Sequence, residues 1–367
     1  MSRAIVIGGG IAGLASAKVL APFYSEVILY DAALPAQTGQ LHVLLDQGQK
    51  ILAEIFPGIL EKCQTLKSPT IDWAKDTMWE TATGSFPRYS SKVQTLGMSR
   101  HFLQAILKEE INLVSNIKCI NERLSSMDNL RAELVVVAAG ENFSLKRIFP
   151  MLEMKEQKFA INLSYRSFVF NTDELNRRGF KQYYYQIDPP KTQLGGVISP
   201  VEDNKTLVTL IENEESFSSA KGYSEFYERA ERIPSEEFQR ILGDARPVGR
   251  ETCFRKTHIY RRTFKNLPPN VVIVGDALTS LNPVFGQGMT LALEQVKLLQ
   301  MQHLNGGFNP KKFMPKCQHL TQVPFLLSRL SSHSGGICKY VLASYLRLCQ
   351  RVPFFHHQFL KLLHGVS

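Results

Sequence analysis

The chain lacks what would mark it as a membrane-spanning, metal-binding or disulfide-built protein. No run of about 18 apolar residues occurs, so a spanning helix is not expected. The six cysteines, at positions 63, 119, 253, 317, 338 and 349, form no CxxC pair, and reduced structural thiols in a cytoplasmic protein are the expected reading. The first strand pattern begins almost at Met1, which predicts no secretory signal. The histidines show no HExxH pattern, and the adjacent His356 and His357 must point to different helix faces, so no metal site is predicted. No nucleophile–base signature is legible either, and no catalytic side chain is assigned.

The most informative shortage is of acid. After Glu294 the sequence contains no aspartate or glutamate, while residues 295–367 carry nine lysines and arginines and six histidines. This stretch supplies nearly all of the formal charge of +10. Apolar residues recur there at helical spacing, which predicts helices over 309–330, 337–350 and 354–365. The tail has three readings. It is a helical cap with solvated bases, or a surface that lies on an anionic membrane, or a nucleic-acid contact. No recognition motif accompanies the charge, so nucleic acid is not predicted as a partner. Cap and membrane surface are compatible.

What is present begins at the N-terminus. Arg3 to Gly8 reads as a strand buried on both faces, apolar without alternation. Gly8, Gly10 and Gly13 then fall in GxGxxG spacing. The first glycine permits a tight turn, the second a close approach to a pyrophosphate, and the third close packing of a helix. The strand Glu26–Tyr30 ends in Asp31, near the offset of about 20 residues at which a carboxylate holds a ribose. The bland alternative is a glycine turn that binds nothing, with Asp31 an ordinary strand-end acid. Two further apolar strands are expected at 133–140 and 270–275. The second runs into Asp276 and then Asn282-Pro283-Val284-Phe285-Gly286-Gln287-Gly288, with a helix from Met289 to about His303. Such a helix start would favour negative charge on a bound ring system.

On these residues the chain resembles the FAD-dependent monooxygenases of the aromatic-hydroxylase type, on the branch with halogenase-like proteins and polyene epoxidases. The resemblance covers the first 110 residues, the strand at 133–140 and segment 270–303. It implies FAD, with Gly8, Gly10, Gly13 and Asp31 at the nucleotide end. Arg100, in Ser99-Arg100-His101, and Asp276 would hold the cofactor. Pro283, Gly286, Gln287 and Gly288 would border its ring. The segment from Gln40 to Gly48, with His42, is similar to one seen in the epoxidase-like branch. The chain departs from the family where Ala138-Ala139-Gly140-Glu141-Asn142 lacks the usual acid and basic partner near the third strand. That leaves NADPH or NADH as direct donor, or a separate flavin reductase. No tryptophan–x–tryptophan motif occurs, the only tryptophans being Trp73 and Trp79.

The expected fold is α/β: a Rossmann-like, glutathione-reductase-type FAD-binding domain interrupted by a β-sheet substrate domain, with a helical C-terminal region. The boundaries read as 1–70, 95–155 and 263–305 for the first, 71–94 and 156–262 for the second, and 306–367 for the last. Strands are predicted at 161–170, 182–188, 194–199 and 206–211, and helices over about 219–231 and 234–242. A sheet of this kind would roof the pocket, with Tyr165, Phe168, Tyr183, Tyr185 and Gly196 as candidate substrate contacts beside His42. The expected function is insertion of one oxygen of O2 into an apolar aromatic or polyene molecule. The rivals are a prenyl-chain or quinone-type flavin reductase and a flavin- and lipid-binding protein without turnover. A cytoplasmic protein, peripheral on the inner membrane face, fits the tail.

Overall fold

The computed structural model describes residues 2–32, 43–124, 126, 131–141, 143–175, 179–187, 192–213, 222–332 and 337–366. A five-stranded parallel sheet runs in the order Val271–Ile273, Leu134–Val137, Arg3–Ile7, Glu26–Tyr30, Ile117–Ile120. Leu134 to Val137 are fully buried, as a strand covered on both faces must be. Helices Ile11–Leu20, Arg100–Asn112 and Gln287–Leu304 pack in this part of the molecule, around a core that includes Leu14, Leu20, Leu103 and Val296. The strands come from widely separated stretches of sequence, because five strands of a second sheet lie between residues 137 and 271 and two more between 30 and 117.

That second sheet has eight strands in the order Thr279–Ser280, Pro247–Phe264, Met154–Asn171, Lys205–Asn213, Leu194–Val201, Gln182–Tyr185, Thr77–Thr81, Gly84–Ser85. Its pairs are antiparallel apart from Gln182–Tyr185 with Thr77–Thr81. The long strand Pro247–Phe264 was not expected from the sequence. It pairs along nearly all of Met154–Asn171, with register shifts between Val248 and Thr252 and between Lys256 and His258. Segment Thr279–Ser280 pairs with Tyr260 and Arg261, so the glycine-rich turn near 283–288 is stitched to the second sheet.

Alternation along the strands gives this sheet two apolar faces. One packs against helices Tyr223–Glu231 and Glu236–Leu242 through Phe168, Tyr183, Ile198, Phe226 and Phe238. The other carries Trp79, Tyr184, Val197 and Ile211, with Trp73 in the same cluster, and meets the C-terminal helices at Phe325, Leu360 and Leu363. Those helices are Pro310–Leu320, Gln322–Ser332, Ile337–Arg351 and Pro353–His364. The single helix expected over 309–330 is two, divided at Thr321, whose hydroxyl donates to the Gln318 carbonyl. Among the described residues no helix is long and apolar enough to cross a membrane, and no group of three potential metal ligands occurs.

Candidate active site

Between the two cores lies a cavity of about 530 Å³, lined from both. The nucleotide-fold wall is built by glycine. Gly8 has φ +110, and a Cβ there would sit 2.4 Å from the Ala138 carbonyl oxygen. At Gly13 a Cβ would fall 1.7 Å from the Gly8 oxygen, so this helix approaches the turn only with glycine. Gly10 differs: nothing lies within 4 Å of its Cβ position, and it faces the cavity. It precedes helix Ile11–Leu20 without a side-chain cap, which leaves first-turn N–H groups for a ligand. Asp31 also lines the cavity, with the Lys108 ammonium 2.7 Å from its carboxylate. Gln104 donates to the Gly9 carbonyl at 2.8 Å and steadies the turn.

Ser99 caps helix Arg100–Asn112, its hydroxyl accepting from the Phe102 N–H at 3.2 Å. This places Arg100 in the cavity wall with Asp276. Burial lowers the Arg100 guanidinium, and Asp276 partly restores it. The open surface of Asp276 faces the cavity while protein surrounds it; that burial raises its carboxyl, Lys256 and Arg100 lower it, and Glu141 raises it further. The Asp276 turn is held by Gly275 at φ +63, whose N–H donates to the Gln295 amide oxygen at 2.7 Å. Pro283, Gly286 and Gly288 line the cavity; Gln287 opens helix Gln287–Leu304 but is not among the lining residues.

The second sheet supplies the remaining wall through residues of one parity. Tyr165, Ser167, Gln182, Tyr184, Gln186, Val197, Thr209, Ile211, Phe254 and Lys256 face the cavity. Tyr165, one of the candidate substrate contacts, thus lines the cavity. Phe168, Tyr183, Tyr185 and Gly196 are not: they belong to the opposite face, under the helices. The expectation misses by one residue of register, and in a strand that exchanges one face for the other. The Tyr183 hydroxyl meets Glu80 and Ser235, and a Cβ on Gly196 would strike the Phe238 ring at 2.5 Å. His42 lies outside the described residues.

Three groups escaped the sequence reading. Lys256, 4% exposed, brings its ammonium to Glu141 and Ser280, and the Ser280 hydroxyl donates to Glu141 at 3.0 Å. An acid and a base therefore do meet beside the third parallel strand, the base arriving from a distant strand at a register shift. Trp73 and Trp79 both line the cavity, their rings 6.4 Å apart. Trp73 is aimed by Asp72, which accepts from the backbone of Ala74, Lys75, Ser91 and Lys92. Leu363 enters the wall from the last helix. Trp79 pairs with Tyr184, a register that the sequence does not display.

No family model matches the chain. Protein Rv3254 of Mycobacterium tuberculosis is 25% identical over 340 residues, covering 79% of this chain and 70% of that protein. The solved structure of 2-methyl-3-hydroxypyridine-5-carboxylic acid oxygenase is similar at a TM-score of 0.65 and 18% identity, over 90% of each chain. A flavin-dependent brominase gives 0.68 and 14%, over 99% of this chain and 94% of its own. The p-nitrophenol 4-monooxygenase of Pseudomonas putida gives 0.67 and 14%, over 100% of this chain and 97% of its own. The chain thus shares the α/β fold of these solved structures, Rossmann-like sheet and inserted sheet together.

Proposed function

We propose that the chain is an FAD-dependent monooxygenase acting on an apolar aromatic or polyene molecule. The observation that carries this reading is convergence: the turn at Gly8–Gly13, Arg100 and the Asp276–Gly288 segment open on one cavity whose other wall is aromatic. FAD suits the donor set. Backbone cradles at Gly8 and Gly13 admit no side chain, open space fronts Gly10 and Gly288, and Asp31 stands at the end of the second strand. Bound FAD supplies the redox chemistry, carrying two electrons from a donor to dioxygen so that one oxygen atom enters the substrate and the other leaves as water.

The chain's own residues bind, orient and exclude. Arg100 and the N-terminus of Ile11–Leu20 hold anionic groups, and Asp276 offers a carboxylate to hydroxyls. The N-terminus of Gln287–Leu304 favours negative charge at the ring edge. The sheet and the last helix keep water from the reacting atoms. Electrons come from NADPH or NADH directly or through a partner reductase. The C-terminal helices lay an exposed basic face on an anionic membrane, which is supported by Val341, Phe354 and Leu362, each more than 60% exposed in an acid-free stretch.

The test is direct. Purified protein should be yellow, and its flavin should be reduced by one nicotinamide or by an added flavin reductase. With candidate phenols and polyenes, oxygenated product should form in air and fail to form anaerobically. Colourless protein with no affinity for added FAD would end the proposal; product formed better without oxygen would favour the reductase reading.

A further inference from the structure

The part of the cavity that belongs to the second core is walled by Trp73, Trp79, Tyr184, Ile211, Phe285 and Leu363. The other charged residues of the cavity, among them Arg100 and Asp276, belong to the nucleotide-fold wall. Of the described lining residues that the second sheet and its core contribute, the one with a charge is Lys256, already engaged by Glu141 and Ser280. The phenols of Tyr165 and Tyr184 are pushed well above their ordinary value by burial, so both stay neutral. A ligand with a formal charge would find no counter-ion here and would lose its hydration without compensation.

The polar groups offered have a definite sense. Gln182 accepts from the Ser199 hydroxyl at 3.0 Å and Gln186 from the Trp79 indole N–H at 3.1 Å. With their amide oxygens engaged, both side chains present N–H donors, and both line the cavity. They call for an acceptor on the ligand.

The remaining wall is fixed by the chain's last helix. Leu360 and Leu363 of Pro353–His364 are 0% and 9% exposed, and the His364 ring lies 4.7 Å from Trp73. The Asp46 N–H donates to His364 Nδ1 at 3.3 Å, which ties the helix end to Asp46–Ile55. Leu363 therefore stands in the wall with little freedom to withdraw.

We infer that this chamber takes an uncharged, flat aromatic molecule bearing one oxygen acceptor, and that Leu363 limits how large that molecule can be. The inference rests on the oxygenation reading for what becomes of the ligand, but not for its binding.

The protein carries its own reporter, since its only two tryptophans are both in this wall. The full-length, flavin-loaded protein should show saturable quenching of tryptophan fluorescence by 1-naphthol. The dissociation constant for 1-naphthoate, of similar shape but charged, should be at least tenfold higher. Leu363→Phe should weaken 1-naphthol at least tenfold while phenol, one ring smaller, changes little. Gln186→Leu should weaken 1-naphthol as well, at unchanged flavin content; it serves if Leu363→Phe does not fold. Equal or tighter binding of 1-naphthoate, or no effect in either folded variant, overturns the inference. Yellow protein that binds neither naphthalene removes this inference and leaves FAD standing. Colourless protein that still prefers 1-naphthol does the reverse.

Discussion

Lys256 is 4% exposed, and its charge is tolerable only while Glu141 and Ser280 answer it. Glu141→Gln should cost about 1–3 kcal/mol, because it removes the charge that answers a buried ammonium while Glu141 itself is partly exposed. Adding Lys256→Met should restore most of that loss, since neither charge then needs solvation. Chemical denaturation of the four proteins in this cycle checks the coupling, and additive losses would mean that the two side chains do not meet. Two histidines make a second residue-level case. His356 and His364 are 2% and 0% exposed. Burial pushes them down to about 4 and about 3, with His357 adding to the effect at His356. The fold thus holds the neutral ring. Its contribution is complete above the ordinary value of 6.5 and is lost as pH falls through 6.5 toward 4. The melting temperature should drop across that window, and His364→Phe should flatten the drop.

At the scale of elements, the turn between Arg3–Ile7 and Ile11–Leu20 separates folding from binding. Alanine at Gly13 would place a Cβ 1.7 Å from a backbone oxygen, so helix and strand must part and stability falls. Alanine at Gly10 meets no protein atom within 4 Å, at an ordinary φ of −75, and should leave the melting temperature of the flavin-free protein unchanged. It should nevertheless lower flavin retention, because the methyl occupies the space before the helix N-terminus. Visible flavin absorbance beside a melting curve distinguishes the two variants. These glycines were legible in the sequence because spacing alone encodes them, as were the parallel strands, whose continuous apolar runs need no partner to be recognised. The second sheet was less legible. Its strands have both faces buried, so apolar content at Phe168 and Tyr183 did not say which face met the cavity. Strand Pro247–Phe264 is rich in arginine and threonine and shows no apolar alternation, yet pairing with Met154–Asn171 makes it a strand. Lys256 was hidden with it.

For the whole molecule, adjacent residues of the last helix face opposite ways. Leu363 is 9% exposed in the cavity wall, whereas Leu362 is 64% exposed on the outside. Helical periodicity made the tail's helices legible, but Leu362 and Leu363 are equally apolar, so only packing against Trp73 and Asp46–Ile55 reveals which turns inward. Phe354 and Val323 are each 63% exposed, and Leu326 lines a second cleft with Arg261 and Arg329. Nine basic residues and no acid follow Glu294. A surface where exposed apolar groups stand among cations, in a stretch that carries no acid of its own, suits hydrocarbon and anionic headgroups together, and each cation near such a surface contributes about 1 kcal/mol. The protein should therefore sediment with vesicles that contain phosphatidylglycerol and stay in solution with pure phosphatidylcholine. Salt should release it, because the Debye length shortens from about 10 Å at 0.1 M to about 3 Å at 1 M. Phe354→Ser with Leu362→Ser should weaken sedimentation while 1-naphthol still quenches the tryptophans. Equal sedimentation with both lipids would remove the electrostatic part of the reading, and no sedimentation with either would leave the tail as the wall of the cavity alone.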